Sequence, residues 1–335
     1  MVAEALLNTT RKEFVDHLTS RKFLLLMTLV VAVCAVPFCQ GIADYYDSID
    51  AYAEDSGNQD PFLIFPDVFS KMAPVNGLYY NIPLYFSIAG AILAITFGFD
   101  LVTKEKETRS LKTLLSHPVY RDEIINGKAL GGIIALAVFV GAMLLVSLSV
   151  LFILGFSPGF EEIAAVMAFG IVSLLYLALY SIALAMSVLS KNSGKALIYS
   201  LIVFFAISSL VPMAGDIVLD TFVGDRFDIW DADASDSLLA SPEALHEWEM
   251  RYESVDSMIF FFSPERNYEK TAQILLYPRI TMYQLDGTFN VDLEGEEPGI
   301  TGALGKVWQN ILALLVYPLV FFSIAYIAFM RMDIR

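Results

Sequence analysis

The stretch ALGGIIALAVFVGAMLLVSLSVLFIL, residues 129–154, contains no Asp, Glu, Lys, Arg or His. A helix rising 1.5 Å per residue needs about 20 residues to cross the hydrocarbon core of a bilayer. A helix this long and apolar on every side has no exposed face in water, so the stretch reads as a membrane span. Five further uncharged windows occupy residues 23–43, 78–99, 163–189, 196–215 and 307–330. Pro37, Pro83, Pro212 and Pro318 fall inside them, as membrane helices permit when neighbours re-satisfy the backbone. The first window follows a charged preface and no small-x-small cleavage site succeeds it, so it reads as an anchor rather than a signal peptide. The fold class is all-α membrane protein with six transmembrane helices.

The composition agrees, with one tension. Of 335 residues, 56% are hydrophobic and 17% charged, yet 37 acidic residues against 21 basic ones leave a net charge of −16. That much apolar surface excludes a disordered chain, and the acidity argues against a nucleic-acid partner. Distribution resolves the tension. Fourteen of the basic residues and only nine of the acidic ones lie on the side holding both termini, in residues 1–22, 100–128, 190–195 and 331–335. The positive-inside rule makes that side cytoplasmic, with N and C termini inside the cell membrane.

The remaining acids concentrate in an extracellular loop, residues 44–77, and an insert, residues 216–306. Within the insert, Ser241-Pro242-Glu243 and Ser263-Pro264-Glu265 each read as a cap, a first-turn Pro and a first-turn acid. Helices are predicted over 242–262 and 264–277. Phe260, Phe261 and Phe262 are expected to pack the insert on the outer mouth of the spans, and 286–301 to be a loop. Surface solvation, cation binding, receipt of cargo from a path through the spans and docking of an external partner all fit the acidic insert. Cys34 and Cys39, five apart in one apolar run, read as small lipid- or helix-facing residues.

On the cytoplasmic side, residues 1–22 contain an amphipathic stretch in which Leu7, Phe14 and Leu18 recur at helical spacing. Such a helix lies in the membrane interface; it could be a simple anchor or also touch a partner. The segment 100–128 is richer. It opens with charges of alternating sign, then Leu111, Leu114 and Leu115 form one helical face before Pro118 stops the helix. A leucine face hung beneath a bundle suits docking into a groove of another protein, or rests on the bilayer.

That segment, EKETRSLKTLLSHP at 105–118 followed by Arg121 and Gly127-Lys128, resembles the pattern of type-2 ABC-transporter permeases. It departs at Arg109, where the pattern usually has Gly, and at Lys112, where it usually has Glu. Among subgroups it looks most like the permease of the nitrous-oxide-reductase maturation transporter and its archaeal relatives. The resemblance implies a transport subunit, not an enzyme, and an exporter. It implies that a second permease copy and two copies of a separate ABC ATPase are its partners, with no cofactor in this chain and ATP-Mg in the ATPase. It implies that Glu105, Glu107, Leu111, Leu114, Leu115, Pro118, Arg121, Gly127 and Lys128 form the coupling segment. Spans two and five would line the path, with Asn81, Ser87, Thr96, Ser200, Ser208 and Ser209 as polar candidates, each equally readable as an interhelical hydrogen bond.

Other chemistry finds no support in the sequence. Gly194-Lys195 ends like a phosphate-binding loop, but Leu189 and Ala196 stand where Gly and Ser or Thr are required. His246-Glu247 begins like a zinc-protease motif, but Met250 replaces the second His, and His17 and His117 fall on the other side. No metal site is expected. An ion-coupled carrier or channel is an alternative that uncharged spans disfavour. A membrane scaffold or sensor with a ligand-binding insert is another, and it leaves the coupling-like segment unexplained.

Overall fold

The computed structural model describes residues 2–55, 82–110, 120–153, 158–223, 250–251, 254–255, 258–259, 261–276 and 299–332. The described part is helical, without strands. The elements are α1 (Val2–Thr19), α2 (Arg21–Asp55), α3 (Ile82–Gly98), α4 (Thr103–Glu107), α5 (Arg121–Ile153), α6 (Phe160–Leu177), α7 (Tyr180–Leu189) and α8 (Ser193–Phe205). A π turn (Ala206–Leu210), α9 (Val211–Phe222), α10 (Pro264–Leu276) and α11 (Ile300–Arg331) complete them. Six helical stretches, Arg21–Ala43, Ile82–Glu107, Arg121–Ile153, Phe160–Leu189, Ser193–Leu219 and Ile300–Arg331, are long and apolar enough to span a membrane. They match the six uncharged windows one for one.

The helices overrun those windows. α2 continues to Asp55, so the acidic segment after the first span begins as helix. α5 starts at Arg121, with Asp122 and Glu123 in the first turn where they complement the helix dipole. Glu123 also accepts a hydrogen bond from the Tyr120 N–H, 3.0 Å. α11 starts at Ile300, which makes Ile300 and Thr301 helical rather than part of the expected loop. The Ile300 N–H, an orphan donor of that first turn, is satisfied by the Glu161 carboxylate at 3.1 Å.

Two spans are interrupted. Between α6 and α7 the ladder tightens at Ala178–Leu179, where Leu179 N donates to Tyr176 O and Ile182 N to Leu179 O. In the fifth span the π turn ends at Leu210, two residues before Pro212. Proline has no N–H and its ring crowds the carbonyl one turn back, so the chain widens there and Val211 N bonds to Ala206 O.

The core sits between α3, α5, α6, α7, α10 and α11, around Phe86, Phe139, Tyr176, Tyr180, Tyr268 and Phe329. α3 and α7 are in backbone contact at Gly98, where an added Cβ would stand 2.5 Å from Tyr180 O. The outer spans differ: α8 and α9 present Ile198, Ile202, Phe205, Met213 and Ile217 outward. The free Cys34 is buried and the free Cys39 exposed.

Candidate functional site

Four segments expected on one side converge at one end of the bundle, and charged residues join them. α1 lies against the first turns of α5. Gly127 and Gly131, one turn apart, permit the contact: a Cβ at either would stand 2.7 Å from Thr9 Cβ or Glu13 Cβ. Two glycines four residues apart make a groove for a close helix crossing. The N-terminal helix is thus seated on protein along its Thr10 and Glu13 face, with Phe14 and Leu18 against the core. Leu7 on the other flank is 67% exposed.

Lys128, two turns inside α5, is 2% exposed and lies between two carboxylates. Its Nζ donates to Glu13 Oε1 and to Glu105 Oε1, each at 2.8 Å. One cation thereby holds α1, α4 and α5 together. Burying a charge costs several kcal/mol unless partners and hydrogen bonds compensate, and two short charge-assisted bonds do so here.

The next residues extend the bracket. Lys106 Nζ donates to the carbonyls of Ser187, Val188 and Ser190, which terminate α7. The Ser187 hydroxyl accepts from the N–H groups of Val102 (3.0 Å) and Thr103 (3.1 Å) at the start of α4. Glu107 Oε1 accepts from Ser193 N at 2.7 Å, a carboxylate on the positive end of α8. Arg121 donates from one guanidinium nitrogen to Met330 O (3.2 Å) and Met332 O (2.9 Å), closing the end of α11. Two residues past the end of α4 stands Arg109, whose φ of 58° is left-handed. The permease pattern has Gly at that position, and only Gly takes this conformation without steric cost.

A second polar cluster lies at the other end of the bundle, around α10. This helix forms as predicted, with Pro264 and Glu265 in its first turn. It is not a surface element: Tyr268, Thr271, Ala272, Leu275 and Leu276 are fully buried. The Tyr268 ring stacks on Tyr176 with centroids 4.5 Å apart, and its hydroxyl shares a hydrogen bond with Ser173. Tyr176 donates to Ser87 O at 2.8 Å. Ser87 Oγ donates to Glu269 Oε1 at 2.8 Å. Burial raises Glu265 and Glu269 above the usual carboxylate range, against the Ser87 hydroxyl and Arg266, which lower them. Asn267 Nδ2 donates to Phe261 O and Ser263 O, and Asn310 donates to Asn267 Oδ1.

Two residues of the Phe run expected to pack the insert are among the described residues. Phe261 and Phe262 are 40% and 62% exposed. It is the Phe261 carbonyl that anchors the segment, through Asn267 and Tyr317 OH. Phe260 and the helix predicted over 242–262 lie outside the described residues, apart from its short stretches at 250–251, 254–255, 258–259 and 261–262.

Of the predicted coupling residues, Glu105, Glu107, Arg121, Gly127 and Lys128 meet in the bracket. Leu111, Leu114, Leu115 and Pro118 lie outside the described residues. Of the predicted pathway residues, Asn81 is also outside. The Ser87 hydroxyl is shared between Leu84 O in its own helix and Glu269, while Thr96 and Ser200 bond the carbonyls of Ile92 and Ala196 in their own helices. Ser208 and Ser209 fall on the π turn; the Ser208 hydroxyl is buried with no partner among the described residues, and Ser209 is exposed. Sequence reading missed Glu13, Lys106, Ser187, Tyr268 and Glu269. The Gly127-x-x-x-Gly131 spacing is a signal in the sequence that could have pointed to a helix packed beside α5.

The model of the family described as ABC-2 family transporter protein matches residues 7–334 of this chain. Comparison with curated proteins finds no match.

Proposed function

Because the chain belongs to the ABC-2 transporter family, we propose that it is the membrane subunit of an ATP-driven exporter. In this reading two copies pair over two separate ATPase subunits that contact residues 100–128. ATP and Mg act in the ATPase, and this chain supplies the path and the coupling lever. One observation carries the reading: α4 is tied by Glu105, Lys106 and Glu107 to α5, α7 and α8. A force on the loop after α4 is thereby passed to several spans at once instead of dissipating in a flexible link.

The outward apolar face of α8 and α9 supports pairing along the fifth span, whose π turn carries Ser208 and Ser209. Interruptions of this kind are frequent at functional sites. The loop pattern is also what supports a place near the nitrous-oxide-reductase maturation permeases within the family. The charge distribution supports cytoplasmic termini.

The test is a co-purified permease–ATPase complex. Leu111→Ala with Leu114→Ala, and separately Glu105→Ala with Leu111→Ala, are expected to abolish ATPase capture and stimulation while the permease still melts cooperatively. Capture at the parental level by both well-folded variants would remove the coupling role from residues 100–128.

A further inference from the structure

Four consecutive residues of α10 each reach a different span. Glu269 accepts from Ser87 of α3 at 2.8 Å, Tyr268 shares a hydrogen bond with Ser173 of α6 at 3.2 Å, and Asn267 accepts from Asn310 of α11 at 3.0 Å. Arg266 faces Asp216 of α9, in the fifth span, with 3.9 Å between nitrogen and oxygen. The four ties are not equal. Ser87, Ser173, Tyr268 and Asn267 are buried, and a buried hydrogen bond is costly to break because no water takes its place. Arg266 and Asp216 are about half exposed, 47% and 56%, and an exposed pair at that separation contributes little. Of the four spans, the fifth is the one whose tie to α10 is weak.

The fifth span is also divided. α8 and α9 meet at the π turn, near the middle of the stretch Ser193–Leu219. There Val211 N bonds to Ala206 O, and Pro212 has no N–H to give to the ladder. The Ser208 hydroxyl is buried at that turn without a partner among the described residues. Sharp bends in long helices concentrate at prolines and π turns, where the ladder is interrupted. The two halves are anchored differently. α8 packs on α7 and α3, and Glu107 ties its first turn to α4. Among the described residues no other span packs along α9. Of its buried stripe, Pro212, Gly215 and Leu219, Gly215 receives the Ile259 side chain from the segment before α10. Met213, Ile217 and Phe222 point away from the bundle. α10 rests against the π turn itself, which places a fulcrum there.

We propose that the fifth span is hinged at Ala206–Leu210: α9 swings against the bundle while α8 stays seated, and Asp216–Arg266 is the tie that opens and closes. The buried ties keep α3, α6 and α11 gathered around α10, so the swing parts one helix from a fixed cluster. This motion is independent of the transport reading, and distances within one chain decide it.

The full-length chain, with Cys34 and Cys39 replaced by Ala, is labelled with spin probes at pairs of introduced cysteines and placed in lipid nanodiscs. Excess unlabelled chain is mixed in, so that double electron–electron resonance reads only distances within one chain. Ile217→Cys with Thr301→Cys reports α9 against α11. Lys195→Cys with Arg331→Cys reports α8 against the same helix. Two separated distances are expected for the first pair and one for the second. Asp216→Asn with Arg266→Gln should raise the ratio of the longer to the shorter distance roughly two- to fivefold, the effect of losing a weak exposed pair. Pro212→Ala, which returns an N–H to the junction, should lower that ratio. A single distance for the first pair, both in the parent and in an Asp216/Arg266 variant of parental melting profile, would overturn the proposal. Two distances for the second pair would also overturn it, since the whole span would then move as one body. A ratio that neither variant shifts would remove both the tie and the hinge.

Discussion

Lys128 is the residue on which one end of the bundle turns. It has two carboxylate partners and 2% exposure, so its removal leaves two buried carboxylates facing each other. Lys128→Met is expected to destabilise the folded chain by about 3–5 kcal/mol, the range for an orphaned buried ion. Adding Glu13→Gln and Glu105→Gln should restore much of the loss, since the uncompensated charges go too. Thermal unfolding of the purified chain distinguishes the two; a parental midpoint for Lys128→Met would mean that the triad carries no stability. From the sequence Lys128 was legible as a charge at the edge of a span and as part of a family pattern. Its partners were not, because Glu13 lies 115 positions away and only the seating of α1 on α5 brings it near.

Among the elements, α10 shows how a predicted helix acquires an unpredicted role. Its ends were readable from Ser263-Pro264-Glu265, since capping and first-turn chemistry are local. Its burial was not, because its polar face, Glu265, Glu269 and Asn267, looks solvated in the sequence. In the fold that face meets Ser87 and Asn310. The raised carboxylates give a signed expectation. A carboxyl group whose pKa is higher when docked binds its proton more tightly there. Docking of α10 is therefore strongest below the ordinary carboxylate value and weakens as pH rises through the elevated one. Hydrogen exchange at 264–276, corrected for intrinsic rates, should slow between neutral pH and about pH 5, near the unperturbed Glu range. Glu265→Gln with Glu269→Gln should flatten that dependence. Faster exchange on acidification in the parent would contradict it.

At the scale of the whole molecule, the ion pairs and caps at one end gather the N-terminal helix, α4, the α7–α8 junction and the end of α11. Six crossings require that arrangement, since every second connection must return to the same side. The charge asymmetry adds a direction, and labelling checks it. With Cys34 and Cys39 replaced by Ala, Ser254→Cys is expected to react with a membrane-impermeant maleimide in intact cells. Lys191→Cys should react only after the membrane is opened. The reverse pattern would invert the assigned orientation.

The sequence by itself determined the number of spans and the place of α10's first turn, and its charge count sets the side expected for both termini. Each is a short-range property: a run of uncharged residues, a count of nearby bases, a cap. Only the tertiary structure decided on which partners the polar groups are spent. Lys128 and Glu105 are locked together across helices, and Ser87 serves Glu269. Pairing of that kind depends on the meeting of distant helix faces, and the spacing of residues along a single chain does not encode it.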